Sequence, residues 1–240
     1  MNYAKRRGRV FAVAVLTVFS MTMLVASAAQ AVGEPLEWGI SFKTLGELGL
    51  TEESVTGINE GISTFSVPAQ NLEINCKALD IFEANITTSG AGKATLLYLE
   101  CTVLENTVGP PVKLGELPCE IVGGDITIKV KMQGLKHNSE KFLLFSPLTG
   151  STLTTIEYKK GTGCPVLLKV ELKGTIVFQL ETSLMVNPLK PAADTGSMAG
   201  KTLQALFGAS LKYGLSEMFL TSKMAMELNG PKHKESWGLV

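Results

Sequence analysis

Arginine is confined to the start of this 240-residue sequence, where Arg6, Arg7 and Arg9 are the only three. Arginine is the planar fork that reads phosphate, carboxylate and guanine edges. Beyond residue 9 the chain lacks the usual equipment for nucleotide, phosphoryl or DNA recognition. Aspartate is as scarce, at Asp80, Asp125 and Asp194. A calcium loop needs several Asp or Asn at alternating positions in one short stretch, and none exists. Two histidines leave little for acid–base or metal chemistry. His137 lies in a polar Lys-His-Asn-Ser turn and His233 in a Lys-rich tail, so both read as solvated surface residues. The four cysteines are separated by 25, 18 and 45 positions, with no C-x-x-C and no histidine nearby. That spacing excludes a zinc site and a dithiol redox motif. No G-x-S-x-G is present. Neither a metal nor another cofactor is expected.

What is present is apolar and balanced in charge. Hydrophobic residues make up 45% of the chain and charged ones 18%, with 22 basic against 22 acidic groups. A disordered chain, a collagen and a polybasic nucleic-acid binder are excluded. The length suits one large domain or two small ones, with ample material for a core.

The beginning of the chain reads as an export signal. Lys5, Arg6, Arg7 and Arg9 form a basic region, and residues 10–33 carry no charge. Ala29-Gln30-Ala31 supplies the A-x-A pattern of a signal-peptidase site, which puts cleavage after Ala31. An uncleaved membrane anchor is the competing reading of the same stretch. Removal takes four of the 22 basic residues and none of the 22 acidic ones, leaving a formal net charge of −4. No lipobox cysteine and no second membrane-length apolar stretch follows, so the expected destination is the extracellular space or the cell envelope.

From about residue 62 to residue 181 the pattern is strand after strand, with turns at short intervals. Residues 125–132 alternate cleanly: Ile126, Ile128, Val130 and Met132 on one face, Thr127, Lys129 and Lys131 on the other. Such alternation describes a strand with one face on a core and one in water. Residues 166–181 read as a hairpin, and a three-residue loop over 173–175 would set Leu172 opposite Ile176. The expected fold is all-β, an antiparallel sandwich or open barrel after a cleavable N-terminal signal helix. Its expected organisation is a signal over 1–31, an N-terminal extension over 32–61, a β core over 62–186, and a C-terminal extension over 187–240 packing on that core. Within the last segment, residues 187–200 read as an exposed connection and residues 218–228 as a strand.

Trp38 and Trp237 sit in similar tetrapeptides, EWGI and SWGL. Either the match is coincidence, or the two terminal strands pair and bury both indoles side by side.

Four cysteines in an exported chain suggest two disulfides with three connectivities. Cys76 shares its expected strand face with Leu72, Ile74 and Ala78, and Cys101 with Leu97, Leu99 and Val103. Both point at the core, two or three strands apart. Cys119 follows Pro118 and Cys164 precedes Pro165, so both lie at strand ends. The expected pairs are Cys76 with Cys101 and Cys119 with Cys164, worth roughly 3.5 and 4 kcal/mol by loop entropy.

The run INCKALDIFEANITTSGAGKATLLYLECTV, then SPLTGSTLTTIEY and the Gly163-Cys164 pair, resembles a group of secreted, disulfide-containing β-rich proteins of soil actinobacteria. The resemblance covers roughly residues 65–179 and implies export and β architecture. The group has no assigned activity, so it implies nothing about chemistry.

Function is the least legible property. Trp38, Trp237, Tyr98, Tyr158 and Tyr213 are the aromatic platforms available to sugar rings, with Trp38 and Trp237 the leading pair, although aromatics total only 7%. Glu100, Glu120, Glu157 and Glu171 are candidates for a carboxylate pair. Each also reads as the wet face of a strand. An outer-membrane barrel would need aromatic girdles and strands of about ten residues, which this composition does not offer. The expectation is a secreted or envelope-associated non-enzymatic module, binding or structural. Its expected partner is cell-wall glycan or another envelope protein, with no nucleic acid and no membrane once the signal is removed. The competing reading is a secreted carbohydrate-active enzyme using a Glu pair.

Overall fold

Period-two alternation becomes antiparallel strand almost throughout. The computed structural model describes residues 33–105, 119–159, 167–182 and 184–240. The signal with Ala29 and Ala31, and Cys164, lie outside the described residues. The strands begin with β1 (Glu34–Pro35), β2 (Trp38–Ile40), β3 (Lys43–Thr44), β4 (Glu52–Asn59), β5 (Ser63–Val67) and β6 (Leu72–Thr87). Next come β7 (Ala91–Glu105), β8 (Ile126–His137), β9 (Glu140–Pro147), β10 (Thr152–Glu157) and β11 (Lys169–Gly174). After β12 (Ile176–Leu180) and β13 (Pro191–Asp194) comes the helix α1 (Met198–Leu206). The series ends with β14 (Leu211–Tyr213), β15 (Ser216–Glu217), β16 (Phe219–Leu228) and β17 (Trp237–Leu239).

An eight-stranded antiparallel barrel results. β4 and β5 run in the same direction and pair with successive halves of both β6 and β16, so they form one wall position interrupted at residues 60–62. From there the wall runs β6, β7, β8, β9, β12, β13 and β16, each beside its predecessor, and β16 returns to β4. β9 pairs with both β8 and β12, which closes the sheet rather than leaving it open. The all-β antiparallel reading holds, and of its two forms the barrel is found.

The flanks are therefore wall and not extensions. β4 lies in the segment read as an N-terminal extension, while β13 and β16 lie in the one read as a C-terminal extension. The stretch read as an exposed connection contains β13 and the fully buried Leu189. The expected hairpin at residue 174 does not form. β11 pairs with β10 and β14, whereas β12 pairs with β9 and β13. Gly174 carries the chain from one sheet to the other at φ 111°, and a Cβ there would stand 1.8 Å from the Ser210 carbonyl oxygen. A glycine read as a turn is instead a close crossing of two backbones.

Apolar side chains fill the barrel. Phe65, Ile74, Tyr98, Ile128, Phe145, Phe178, Met224 and Met226 are all inaccessible or nearly so. At one end the terminal strands form a small sheet, β17–β2–β3, which sets Trp237 opposite Ile40 and Leu239 opposite Trp38. The two indoles lie 5.6 Å apart between ring centroids, both at 0% exposure. Trp38 Nε1 donates to the Ala91 carbonyl at 3.1 Å, tying the plug to the start of β7. Of the two readings of the matching tetrapeptides, pairing is correct. At the other end the β10–β11–β14–β15 sheet contributes Leu153, Ile156, Val170, Leu172 and Tyr213 to the same core.

The disulfide joins Cys76 to Cys101, with a Cα–Cα distance of 3.9 Å. The two are register partners on neighbouring strands, closer than the two or three strands expected, because 72–87 is one long strand and not two. Leu97 and Leu99 do not share the inward face; Leu96 and Tyr98 do. Glu100, at φ 51°, shifts the alternation, so that the phase read from Cys101 backwards is wrong by one residue. Cys119 is also disulfide-bonded.

The wall is thinnest at β13. It shares two register pairs with β12 and three with β16, and then leaves the sheet at Asp194 to enter α1. Ser197 caps that helix, its Oγ accepting from Gly200 N at 3.0 Å. A Cβ at Gly200 would stand 1.6 Å from the Asp194 carbonyl oxygen, so only glycine lets α1 fold back this tightly. The missing rung beside β12 is supplied by a side chain. Gln204 Oε1 accepts from Val177 N at 3.0 Å, and Gln204 Nε2 donates to Val177 O at 3.0 Å. Gln204 is thus buried with its amide serving as a length of strand, while Phe207, Leu203 and Leu206 cover Leu135, Phe142 and Val177 outside the barrel. Gln204→Ala strands a buried donor and acceptor and is expected to cost about 2–4 kcal/mol. Urea unfolding measures that loss, and hydrogen exchange at the Val177 amide is expected to quicken selectively.

Candidate functional site

A closed barrel of eight strands has room for packed side chains or one small ligand, and here side chains occupy it. Polar groups inside are few. Ser63 Oγ and Ser222 Oγ lie 2.8 Å apart, and the buried Tyr98 hydroxyl lies beside Ser222. Among the described residues two clefts lie on the outer wall.

None of the expected aromatic platforms is there. Trp38 and Trp237 are buried against each other, so no indole faces solvent, and Tyr98, Tyr158 and Tyr213 are core residues too. The tetrapeptides read as candidate platforms are apolar because they build the plug. The Tyr213 hydroxyl donates to the Tyr158 hydroxyl at 2.6 Å. Burial pushes Tyr158 up to about 12, the Tyr213 hydrogen bond opposing it. Burial likewise raises Tyr213 and Tyr98 well above the ordinary tyrosine value.

The expected glutamates form surface ion pairs and no common site. Glu100 pairs with Lys77 at 3.0 Å, Glu157 with Lys169 at 2.6 Å and Glu171 with Lys173 at 2.5 Å. Glu120 pairs with Lys159. His233 is exposed, its Nδ1 2.9 Å from the Gly230 carbonyl. His137 is half-buried, 6.2 Å from the Phe207 ring.

A different pair of glutamates shares a cleft. Between Phe82 and Asn85 the register of β6 on β7 shifts, so that Glu83 and Ala84 together oppose Ala94. Glu83 takes φ 48°, a left-handed value rare for a side chain of this kind. The bulge accompanies a cleft of about 460 Å³ in the outer wall. β4 contributes Glu52 and Ser54, β6 Glu83 and Asn85, β7 Lys93 and Thr95, and β8 Lys129. Asn85 Nδ2 donates to Glu52 Oε2 at 2.8 Å, and Thr95 Oγ1 donates to Glu83 Oε2 at 3.2 Å. Among the described residues Lys93 and Lys129 close no ion pair, although six other lysines do. Carboxylates thus occupy the β4–β6 side and ammonium groups the β7–β8 side. Phe82 stands beside this wall, opposite Thr95 and 39% exposed.

This site was missed from the sequence, but a signal was present. Buried residues along β6 step by two except between Cys76 and Leu79, beside the disulfide, and between Ile81 and Ala84, where each step is three. The second interruption is the bulge. A second concavity, about 1100 Å³, lies between α1 and the outer face of β12, β13 and β16.

Comparison with protein-family models, curated proteins and solved structures finds no match for this chain. No helix among the described residues is long and apolar enough to cross a membrane. The Cys76–Cys101 disulfide is consistent with a location outside the cytoplasm.

A pH prediction follows from the three buried tyrosines. A phenol whose folded pKa is raised above its unfolded value of about 10 stabilises the fold fully below that pH. The contribution is then lost as pH rises towards the folded value, about 12 for Tyr158. Absorbance at 295 nm of the chain freed of its first 31 residues should show no phenol ionising in the ordinary range. Ionisation should instead coincide with alkaline unfolding followed by circular dichroism.

Proposed function

We propose that this chain is an exported, envelope-associated β-barrel that binds cell-wall glycan without chemically changing it. The cleft at the β6 bulge carries the reading. It sets carboxylates, an amide, hydroxyls and ammonium groups within one concave surface, the mixture of donors and acceptors that a polyhydroxylated ligand needs. Phe82 beside it offers a ring face for a sugar. The N-terminal basic and apolar pattern and the disulfide support export, and the resemblance to secreted actinobacterial β proteins supports the same compartment. Loss of all three arginines with the signal fits a ligand recognised by hydrogen bonds more than by charge.

A second reading rests on one observation: Glu52 and Glu83 line the same cleft. In that reading the pair hydrolyses the bound glycan.

Titration of the exported chain with cell-wall polysaccharide fragments in a calorimeter tests both. Binding is expected, weakened about fivefold or more by Phe82→Ala, which removes a ring contact, and by Asn85→Ala, which removes a hydrogen bond, each worth about 1 kcal/mol or more. Absence of binding, or binding indifferent to both changes, rejects the proposal. Release of reducing ends that stops on Glu83→Gln while affinity persists selects the enzymatic reading instead.

A further inference from the structure

β2 and β3 are joined by a two-residue turn, Ser41 and Phe42, with Ile40 and Lys43 as the flanking register pair. Both turn residues are left-handed, at φ 49° and 66°. Turns of this kind take Asn, Asp or Gly, which tolerate positive φ, and a bulky side chain there is a genuine outlier. Phe42 moreover leaves 75% of itself in solvent, so packing within the chain does not account for its ring. Folding would be served better by glycine. Strain held at an exposed position points to a use outside the fold.

The α1 groove has the complementary character. Its floor includes Val177, Leu180, Leu203 and Leu206, and Met198 stands over it 86% exposed. Three carboxylates, Glu140, Glu181 and Asp194, rim it against one ammonium, Lys223. An aromatic knob followed by the exposed Lys43 matches an apolar floor with an acidic rim in both shape class and charge. Knob and groove are distinct patches, Phe42 being no part of the groove's lining, so a contact between them in two copies is heterologous.

We propose that the chain associates head to tail, Phe42 of one copy entering the α1 groove of the next with Lys43 against its acidic rim. Such a contact leaves a free knob at one end and a free groove at the other, and repeats. The inference is independent of the glycan cleft, which lies on the opposite stretch of wall, and it supplies a way for a small barrel to present that cleft many times.

Sedimentation velocity of the exported chain reads the outcome. Concentration-dependent species above the monomer are expected, diminishing as salt screens the charged rim. Phe42→Gly should abolish them while raising the melting temperature, because the turn then holds a residue suited to it. Met198→Glu, at an exposed position, should abolish them with the melting temperature unchanged. Mixed in equal amounts, the two variants should form a dimer and stop, since one retains a groove and the other a knob. A strictly monomeric parent protein, undiminished association of Phe42→Gly, or a mixture that stays monomeric would each overturn the proposal.

Discussion

Everything in this molecule hangs on closure of one hydrogen-bonded ring. A sheet edge exposes a row of unpaired backbone groups, and a barrel removes both edges at once. Here the closing pair is β16 on β4, two strands separated by most of the chain, and the ring has one weak place, where β13 departs after four residues. The repair is made with a glutamine amide, which carries the same donor and acceptor as a peptide unit. α1 is held where it is by that repair, and the groove beside it exists because a helix cannot fill a gap in a sheet as a strand would.

Much of the architecture was legible because strand alternation is a local signal. The faces of residues 125–132 came out as read, and so did the pairing of Cys76 with Cys101. What local pattern does not carry is partner choice. Residues 168–180 have hairpin alternation, yet the two halves enter different sheets, because Gly174 permits a crossing that no periodicity announces. The flanks suffered likewise. Residues 52–59 set Glu52, Ser54, Thr56 and Ile58 outward and bury mainly Val55 and Gly57, so a genuine wall strand leaves a faint apolar trace. β13 is too short to show any period.

The candidate site was less legible than the fold, for a related reason. Aromatic content invites a search for rings on the surface, but burial of the two tryptophans is what closes the barrel's end. The residues that line the cleft are ordinary polar side chains on four strands, and only the bulge brings them together. The irregular step between Ile81 and Ala84, one of two along β6, marked the place. The disulfide sits on the same two strands that form the bulge, one staple and one irregularity sharing the longest hairpin of the barrel.

Trp38 and Trp237 make the two extremities of the described chain mutual neighbours, and that arrangement orders events in time. A polypeptide synthesised amino end first holds Trp38 long before Trp237 is made. Until residues 219–239 have followed, the barrel has neither its closing strand β16 nor its stopper, and its apolar lining stays open. Closure of the barrel and burial of its end are therefore late events, coupled through the same stretch of chain.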